Sequence, residues 1–189
     1  MPSSDALLDA AAGLLARRPA ASMAEVAAAA DISRATLFRR FPSRGALVEE
    51  LSRRAVQAYT AAVDAARPEE GDAVGALRRL LAELARLSPG YGLLALQPID
   101  ELVEADLLAL ATAADDRVRR LVHRGQEAGE FRVDVPAEWV VASVTWLVVA
   151  GADGVRLGRL ASRDVGRLLS TTVLDGLRRR EGEAIAGSG

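Results

Sequence analysis

Four arginines lie close together between Ile32 and Val48, and no acidic residue lies among them. A guanidinium group carries a permanent charge and presents its N–H donors as a planar fork, which suits phosphate oxygens and the O6 and N7 atoms of guanine. The whole chain carries 24 basic and 26 acidic side chains, so the excess is local. A patch of this kind predicts a surface that binds a polyanion. The four residues are Arg34, Arg39, Arg40 and Arg44.

The segment from Arg34 to about Arg40 is predicted to be a short helix with two different sides. Leu37 and Phe41 are four residues apart and are expected to face the core. The opposite side carries side chains that suit a DNA major groove. Arg39 can offer a bidentate fork to a guanine, small or apolar side chains can contact thymine methyl groups, and a hydroxyl can bond a base or a phosphate. These groove residues are Ala35, Thr36, Phe38 and Arg39.

The remaining arginines are expected to contact phosphates, and Ser22 is a further candidate DNA contact. Arg34 and Arg40 lie to the sides of the short helix, and Arg44 lies in the first turn of the next one. The free amides and the positive dipole end of a helix N-terminus also favour a phosphate. A solvated helix face is the alternative interpretation of these charges taken alone.

Composition argues against catalysis. The chain has no cysteine and a single histidine, His123. It also has no Gly-rich phosphate loop and no pair of closely spaced metal ligands, so neither an enzyme nor a cofactor or metal site is expected. All the other basic residues are arginine, which we attribute to codon bias rather than to function.

The elements that position the arginines follow from short-range signals. Ser22 and Glu25 have the spacing of a capping box and predict a helix that runs to about Ala30. A three-residue turn separates it from Ser33, which is placed to cap the arginine-bearing helix, and Ser43 is placed to cap a long one. Apolar residues at intervals of three and four predict an all-α fold, with further helices at about 72–87, 91–97, 101–129, 136–158 and 162–180.

No segment is predicted to enter a membrane. Asp5 and Asp9 interrupt the apolar residues at the N-terminus, so a secretory signal is not expected. The most apolar run, Trp139–Ala152, is too short to span a bilayer and is predicted to form a buried helix. We therefore expect a cytoplasmic protein.

Residues 22–51 resemble the N-terminal DNA-binding domain of the TetR family of one-component transcriptional regulators. The family pattern has a capping Thr, an Ile/Val-Ala pair, an Ala-Gly-Val-Ser turn, then Gly-Thr-Leu-Tyr-x-His-Phe and a Lys that opens the next helix. Here the corresponding segments are Ser22, Val26-Ala27, Ala30–Ser33, Ala35–Phe41 and Arg44. Asp31 stands in place of the turn glycine, and Asp tolerates a left-handed backbone better than most residues.

The resemblance implies a two-domain architecture. A three-helix helix-turn-helix domain, residues 1–55, would be linked by a helix at about 44–66 to a C-terminal helical domain, residues 56–189, that binds an effector and forms a dimer. One apolar stripe on the last two long helices would form the dimer interface, although packing within a monomer would use the same pattern. The stripe consists of Val144, Val148, Gly151, Val155, Val165, Leu169, Thr172, Val173 and Gly176.

The scarcity of charge from Ser88 to Gln97 and from Trp139 to Ala152 favours a small hydrophobic or aromatic effector. Candidate effector contacts are Tyr91, Leu94, Leu110, His123, Trp139, Ser143 and Trp146. The sequence thus predicts a ligand-responsive transcriptional regulator that binds a palindromic operator in double-stranded DNA as a homodimer and acts as a repressor. The alternative is a helical interaction module whose arginines meet an acidic protein partner.

Overall fold

The computed structural model describes residues 3–87 and 104–178. Helices account for most of this part of the chain, which contains no β-strand and only an isolated bridge between Phe131 and Arg178. The predicted all-α fold is confirmed. The helices are α1 (Ser4–Arg17), α2 (Met23–Ala29), α3 (Arg34–Arg40), α4 (Arg44–Ala66), α5 (Ala73–Leu84), α6 (Ala105–Glu127), α7 (Ala137–Arg156) and α8 (Ser162–Leu177).

Serine caps determine where the helices of the N-terminal region begin. The Ser22 hydroxyl accepts from the amide of Glu25 at 3.3 Å, and the Glu25 carboxylate accepts from the amide of Ser22 at 2.8 Å, so the capping box is complete. Ser33 and Ser43 each accept from the amide three residues later, at 3.1 Å. The predicted starts of α2, α3 and α4 are therefore correct. The predicted helix at 91–97 lies outside the described residues.

Apolar side chains form two separate clusters. The N-terminal core joins α1, α2, α3 and the first half of α4, and it includes Leu15, Leu37 and Leu47. The C-terminal core joins the second half of α4 to α5, α6, α7 and α8. Because α4 contributes to both cores, it connects the arginine-bearing region to the rest of the chain.

The loop between α4 and α5 is held from the α5 side by Arg79. Its guanidinium donates to the carbonyl oxygens of Ala66 at 2.9 Å, Arg67 at 3.1 Å and Glu70 at 2.7 Å. The free carbonyls at the C-terminus of α4 thereby gain partners.

Two arginines of α6 hold the same loop from the other side. Arg124 donates to the carbonyl oxygen of Pro68 at 2.8 Å, and Arg117 donates to the Glu69 carboxylate at 2.6 Å while also contacting Asp64. The hydrogen bond from Arg117 lowers the pKa of Glu69. The C-terminal end of α4 is therefore tied to both α5 and α6.

The turn between α6 and α7 is built around Phe131, which is fully buried. Its amide donates to the carbonyl oxygen of Gly125 at 3.0 Å. A Cβ atom at Gly125 would overlap the Phe131 ring, so this position requires glycine. Phe131 thus connects the end of α6 to the C-terminal core.

The apolar stripe predicted as a dimer interface lies mostly inside the monomer. Its buried members pack between α7 and α8 within the C-terminal core. A Cβ at Gly151 would lie 2.8 Å from Val165 Cγ1, which shows how closely the two helices approach. The same periodicity packs these six residues within one chain, and their contact with a second copy stays a prediction. They are Val144, Val148, Gly151, Val165, Leu169 and Val173.

Helix α7 is only partly buried, although the sequence predicts a buried helix. The helix has 20 residues and a mean hydropathy of 1.3 over its most apolar 18-residue stretch, so by length and composition it could cross a membrane. Only 22% of that stretch is buried. Its inner side nevertheless contacts α6 and α8 in a helical bundle. Burial within one chain therefore does not account for the apolar residues on the exposed side of α7.

Candidate DNA-binding surface

The turn between α2 and α3 sets the relation of the two helices. Asp31 adopts a left-handed backbone with φ of 53°. The Ile32 amide donates to the carbonyl oxygen of Ala27 at 3.0 Å, and the Ile32 side chain packs against the N-terminal core. The aspartate thus takes the conformation that the family's glycine position requires.

Helix α3 is anchored by its inner side. Leu37 is fully buried and Phe41 is 7% exposed, as predicted from their spacing. On the other side Ala35 and Arg39 are exposed, and Phe38 is 40% exposed.

Thr36 lies at the edge of the exposed side and is partly buried. Its hydroxyl lies 2.9 Å from the Ser33 hydroxyl, which also caps the helix. The bond orients the Thr36 side chain beside the N-terminal turn of α3.

The four arginines divide into two pairs. Arg34 and Arg39 have no hydrogen-bond or ion-pair partner within residues 3–87 and 104–178. Arg40 donates to the Ser4 hydroxyl and lies 5.9 Å from the Phe41 ring centroid, and Arg44 donates to the carbonyl oxygen of Pro19. Two guanidinium groups are thus free, whereas two are held beside α1 and the loop that follows it.

The start of α2 is less available than the sequence suggests. The Ser22 hydroxyl lies 2.9 Å from the Glu25 carboxylate, which also receives a bond from Arg18. Bonds from the Ser22 amide and hydroxyl lower the pKa of Glu25. A phosphate at Ser22 would therefore lie next to a carboxylate that remains ionised.

Comparison with known proteins agrees with this geometry. Residues 7–51, which span α1 to the first part of α4, match the model of the bacterial regulatory proteins of the tetR family. The chain is 30% identical over 153 residues to the transcriptional repressor LfrR of Mycolicibacterium smegmatis, covering 81% of this chain and 79% of LfrR. The protein belongs to the TetR family.

Two further similarities extend over nearly the whole chain. The transcriptional regulator NfxB of Pseudomonas aeruginosa is 29% identical over 175 residues, covering 90% of this chain and 91% of NfxB. The crystal structure of LfrR in complex with proflavine has a TM-score of 0.70 and 25% identity, covering 93% and 96% of the two chains. This TetR-family protein is a DNA-binding transcriptional regulator and not an enzyme.

The predicted effector contacts do not converge on one cavity. Tyr91 and Leu94 lie outside the described residues. On α6, Leu110 is 54% exposed and His123 is exposed. The other three, Trp139, Ser143 and Trp146, lie together on the outer side of α7 and line one groove, and their contact with an effector stays a prediction. Helical periodicity gives two sides to α7 but does not say which one faces the core.

The outer side of α7 and the adjoining part of α8 form an open groove of about 790 Å³. Trp139 is 67% exposed and Trp146 is 52% exposed along it, and Ser143 lies between them. Small α8 residues, Thr172 and Gly176, complete the opposite wall. No charged residue lines this outer groove within the described part of the chain.

Sequence reasoning missed the alanines of the outer groove, Ala142 and Ala150. A usable signal exists, because Trp139, Ser143, Trp146 and Ala150 follow the spacing i, i+4, i+7 and i+11 of one helix side. Val155, the remaining member of the predicted dimer stripe, is partly buried and lies beyond the groove.

Proposed function

We propose that this protein represses transcription in the cytoplasm by binding a palindromic operator as a homodimer, and that a small hydrophobic or aromatic effector releases it. The observation that carries the proposal is the exposed side of α3. Ala35, Phe38 and Arg39 project from a helix whose opposite side is buried, and Arg39 is free to bond a base. This combination of a thymine-compatible apolar surface and a guanine-compatible fork suits a major groove.

Phosphate contacts would fix the position of α3. Arg34 is free beside the base-reading side chains, whereas Arg40 and Arg44 are oriented by Ser4 and Pro19. A guanidinium that is already held in place loses less side-chain entropy when it binds a phosphate. The Ser22 hydroxyl would join these contacts only if its bonds to Glu25 rearranged.

Two copies would associate through the outer groove. Trp139 and Trp146 expose apolar area next to the small Thr172 and Gly176, and a Cβ at Gly176 would meet nothing within 4 Å. Large exposed apolar patches mark interfaces in soluble proteins, and small residues let helices approach closely. α7 and α8 of two chains would form a four-helix interface.

A two-fold dimer requires a palindrome. Recognition helices related by a two-fold axis read half-sites about 34–36 Å apart, or a multiple of that distance, so the operator mirrors the symmetry of the protein. An effector that binds better to a state with another separation would shift the population away from DNA binding.

The effector class is inferred from the LfrR complex and from the composition of α7. The LfrR structure contains proflavine, an aromatic compound, and α7 of the present chain is apolar over most of its length. A thermal-shift screen of aromatic, aliphatic and highly polar compounds tests this part. Stabilisation only by highly polar compounds would contradict it.

A gel-shift titration tests DNA binding. Intergenic DNA beside the encoding gene is compared with a scrambled sequence of the same composition, at low salt. We expect a discrete complex with the intergenic DNA that Arg39→Ala combined with Arg44→Ala abolishes. Arg78→Ala is the matched control, because Arg78 is exposed on α5 far along the chain from α3. Equal binding to scrambled DNA would instead support an interaction module for acidic partners.

A further inference from the structure

A crevice of about 350 Å³ lies where α1 meets the C-terminal bundle. Gly13 and Arg17 of α1 form one wall, and residues from α5, α7 and α8 form the other. Its volume is at the lower end of the range of roughly 300–1,000 Å³ that is typical of small-molecule sites. The candidate effector contacts that the structure describes, Leu110, His123, Trp139, Ser143 and Trp146, do not line this interdomain crevice.

The interdomain crevice combines an apolar floor with positive charge. Leu84, Val148 and Val165 are buried residues that line it. Arg17 is exposed at one side and has no partner within the described residues, and its Nη1 atom lies 4.0 Å from the position of a Cβ at Gly13. The guanidinium group therefore lies along the α1 wall.

The other charges at the crevice cancel. Arg156 lines the opposite wall and donates through Nε to the Asp153 carboxylate at 2.8 Å, so this pair is neutral as a unit. Ser162 adds one hydroxyl. Among the described residues that line the crevice, the net charge offered to a ligand is thus one positive charge, from Arg17, above a surface of leucine and valine.

We propose that the interdomain crevice binds an amphipathic monoanion, a carboxylate with an aromatic or medium-chain aliphatic body. The carboxylate would bond Arg17, because a guanidinium fork matches the two oxygens of a carboxylate. The apolar body would replace water over Leu84, Val148 and Val165. A neutral ligand would leave Arg17 without a partner, and a cation would be repelled by it.

Such a ligand would connect the two cores. The apolar clusters of the N-terminal and C-terminal regions are separate, and α4 is the helix that contributes to both. A molecule in the crevice touches α1 on one side and α5, α7 and α8 on the other, so its affinity depends on how these parts are placed. Binding must then alter DNA affinity by the same factor as DNA alters ligand affinity. This consequence, but not ligand binding itself, rests on the proposed function.

Calorimetric titration of the free protein tests the site with three ligands that share one ring system: 1-naphthoate, naphthalene-1-methanol and 1-naphthylmethylamine. We expect one naphthoate per chain and affinity at least about tenfold weaker for the alcohol, with the amine weaker still, because a charged hydrogen bond is lost. Decanoate, with an aliphatic body, is expected to compete with naphthoate.

Two variants assign the binding to the crevice. Arg17→Gln is expected to weaken naphthoate binding at least about tenfold and to abolish the preference over the alcohol. Arg78→Gln, on the exposed side of α5, is the control and should leave both unchanged. Ala152→Leu fills the crevice without changing its charge and should also weaken binding. Circular dichroism establishes that each variant is folded.

The proposal is overturned if neither carboxylate binds at millimolar concentration, if the alcohol binds as tightly as naphthoate, or if Arg17→Gln behaves like Arg78→Gln. DNA binding is then measured separately, with and without naphthoate. If the protein does not bind DNA even without ligand, that result contradicts the proposed function and leaves the crevice proposal standing. Intact DNA binding without any naphthoate site would contradict the crevice alone.

Discussion

Helices α3 and α7 each bury one side and expose the other, and the buried sides are alike. Leu37 of α3 and Val148 of α7 both pack into apolar cores. The exposed sides differ, because α3 presents Arg39 beside Phe38 whereas α7 presents Trp139 and Trp146 with no charge near them in the outer groove. Burial thus holds each helix in place, while the exposed chemistry distinguishes a surface suited to DNA from one suited to another protein.

The difference also separates two energetic roles. A substitution on a buried side should change the free energy of unfolding, and one on an exposed side should change binding with little effect on stability. Three experiments test that division, and a fourth concerns a partly buried carboxylate; they are ordered from the largest expected effect to the smallest.

Removing both tryptophans should have the largest effect. Trp139→Ala combined with Trp146→Ala removes two central aromatic side chains from the proposed dimer interface, and each can contribute about 2 kcal/mol or more, so dimer affinity should fall about 1,000-fold. Analytical ultracentrifugation measures the change. His123→Ala, an exposed residue of α6, is the control. A double variant that remains a dimer at micromolar concentration would place the interface elsewhere.

Removing a buried side chain from α3 should be next. Leu37→Ala is expected to lower the free energy of unfolding by about 2–5 kcal/mol, because Leu37 is fully buried. Chemical denaturation measures it. Phe38→Ala, one residue along and 40% exposed, is the matched control and should change stability by only about 0.5 kcal/mol. Similar losses in the two variants would mean that α3 does not have a distinct outer side.

Substitutions of Arg39 and Arg34 on α3 should affect DNA binding in different ways. Arg39→Ala is expected to cost about 1–3 kcal/mol on the operator and to relax the preference at one base pair. Arg34→Ala should instead weaken binding to all sequences alike and reduce the salt dependence by about one phosphate contact. Fluorescence anisotropy over a range of salt concentrations separates the two. If Arg34→Ala alone relaxed sequence preference, their roles would be exchanged.

The smallest effect concerns a polar contact within the C-terminal region. The Tyr59 hydroxyl donates to the Asp115 carboxylate at 2.6 Å, and burial raises the pKa of Asp115 above its usual 3.8. Since the folded state binds the proton more tightly than the unfolded state, this group's contribution to stability falls as pH rises from about 4 through the raised pKa. At pH values above the raised pKa, the ionised Asp115 carboxylate still destabilises the folded state.

At pH 7 the Asp115→Asn variant should therefore have a free energy of unfolding about 0.5 kcal/mol higher than the unsubstituted protein, and it should unfold at a higher temperature. The difference should vanish at pH 3. Asp116→Asn, on an exposed neighbouring residue, is the control. A larger difference at pH 3 than at pH 7 would contradict the sign.

The N-terminal region could be predicted closely because its signals are local. Ser22, Ser33 and Ser43 begin helices by bonding amides three residues away, and Leu37 and Phe41 lie on one side of a single short helix. Even the substitution of Asp31 at the turn has a local explanation in its positive φ. Which arginines are free could not be read in the same way, since Ser4 and Pro19 come from elsewhere in the chain.

The sides of α7 were harder to assign because they depend on contacts over long sequence distances. Val144 and Trp146 are both apolar, and the valine side faces inward because it packs against α8, as the close approach of Gly151 to Val165 shows. The interdomain crevice had no signal at all in the sequence, since Gly13 and Arg17 meet residues more than sixty positions away.

The hydrogen bonds at the C-terminal end of α4 affect how far its N-terminal end moves when the helix tilts. Arg79, Arg117 and Arg124 hold its C-terminal end, while its first half belongs to the N-terminal core. A helix of 23 residues is about 34 Å long, so a small tilt of α4 about its C-terminal end would be amplified at its N-terminal end. A tilt of about 5° moves the N-terminal end by about 3 Å, which is as long as a hydrogen bond. A movement of this size would be large enough to break the base contacts that we propose for α3.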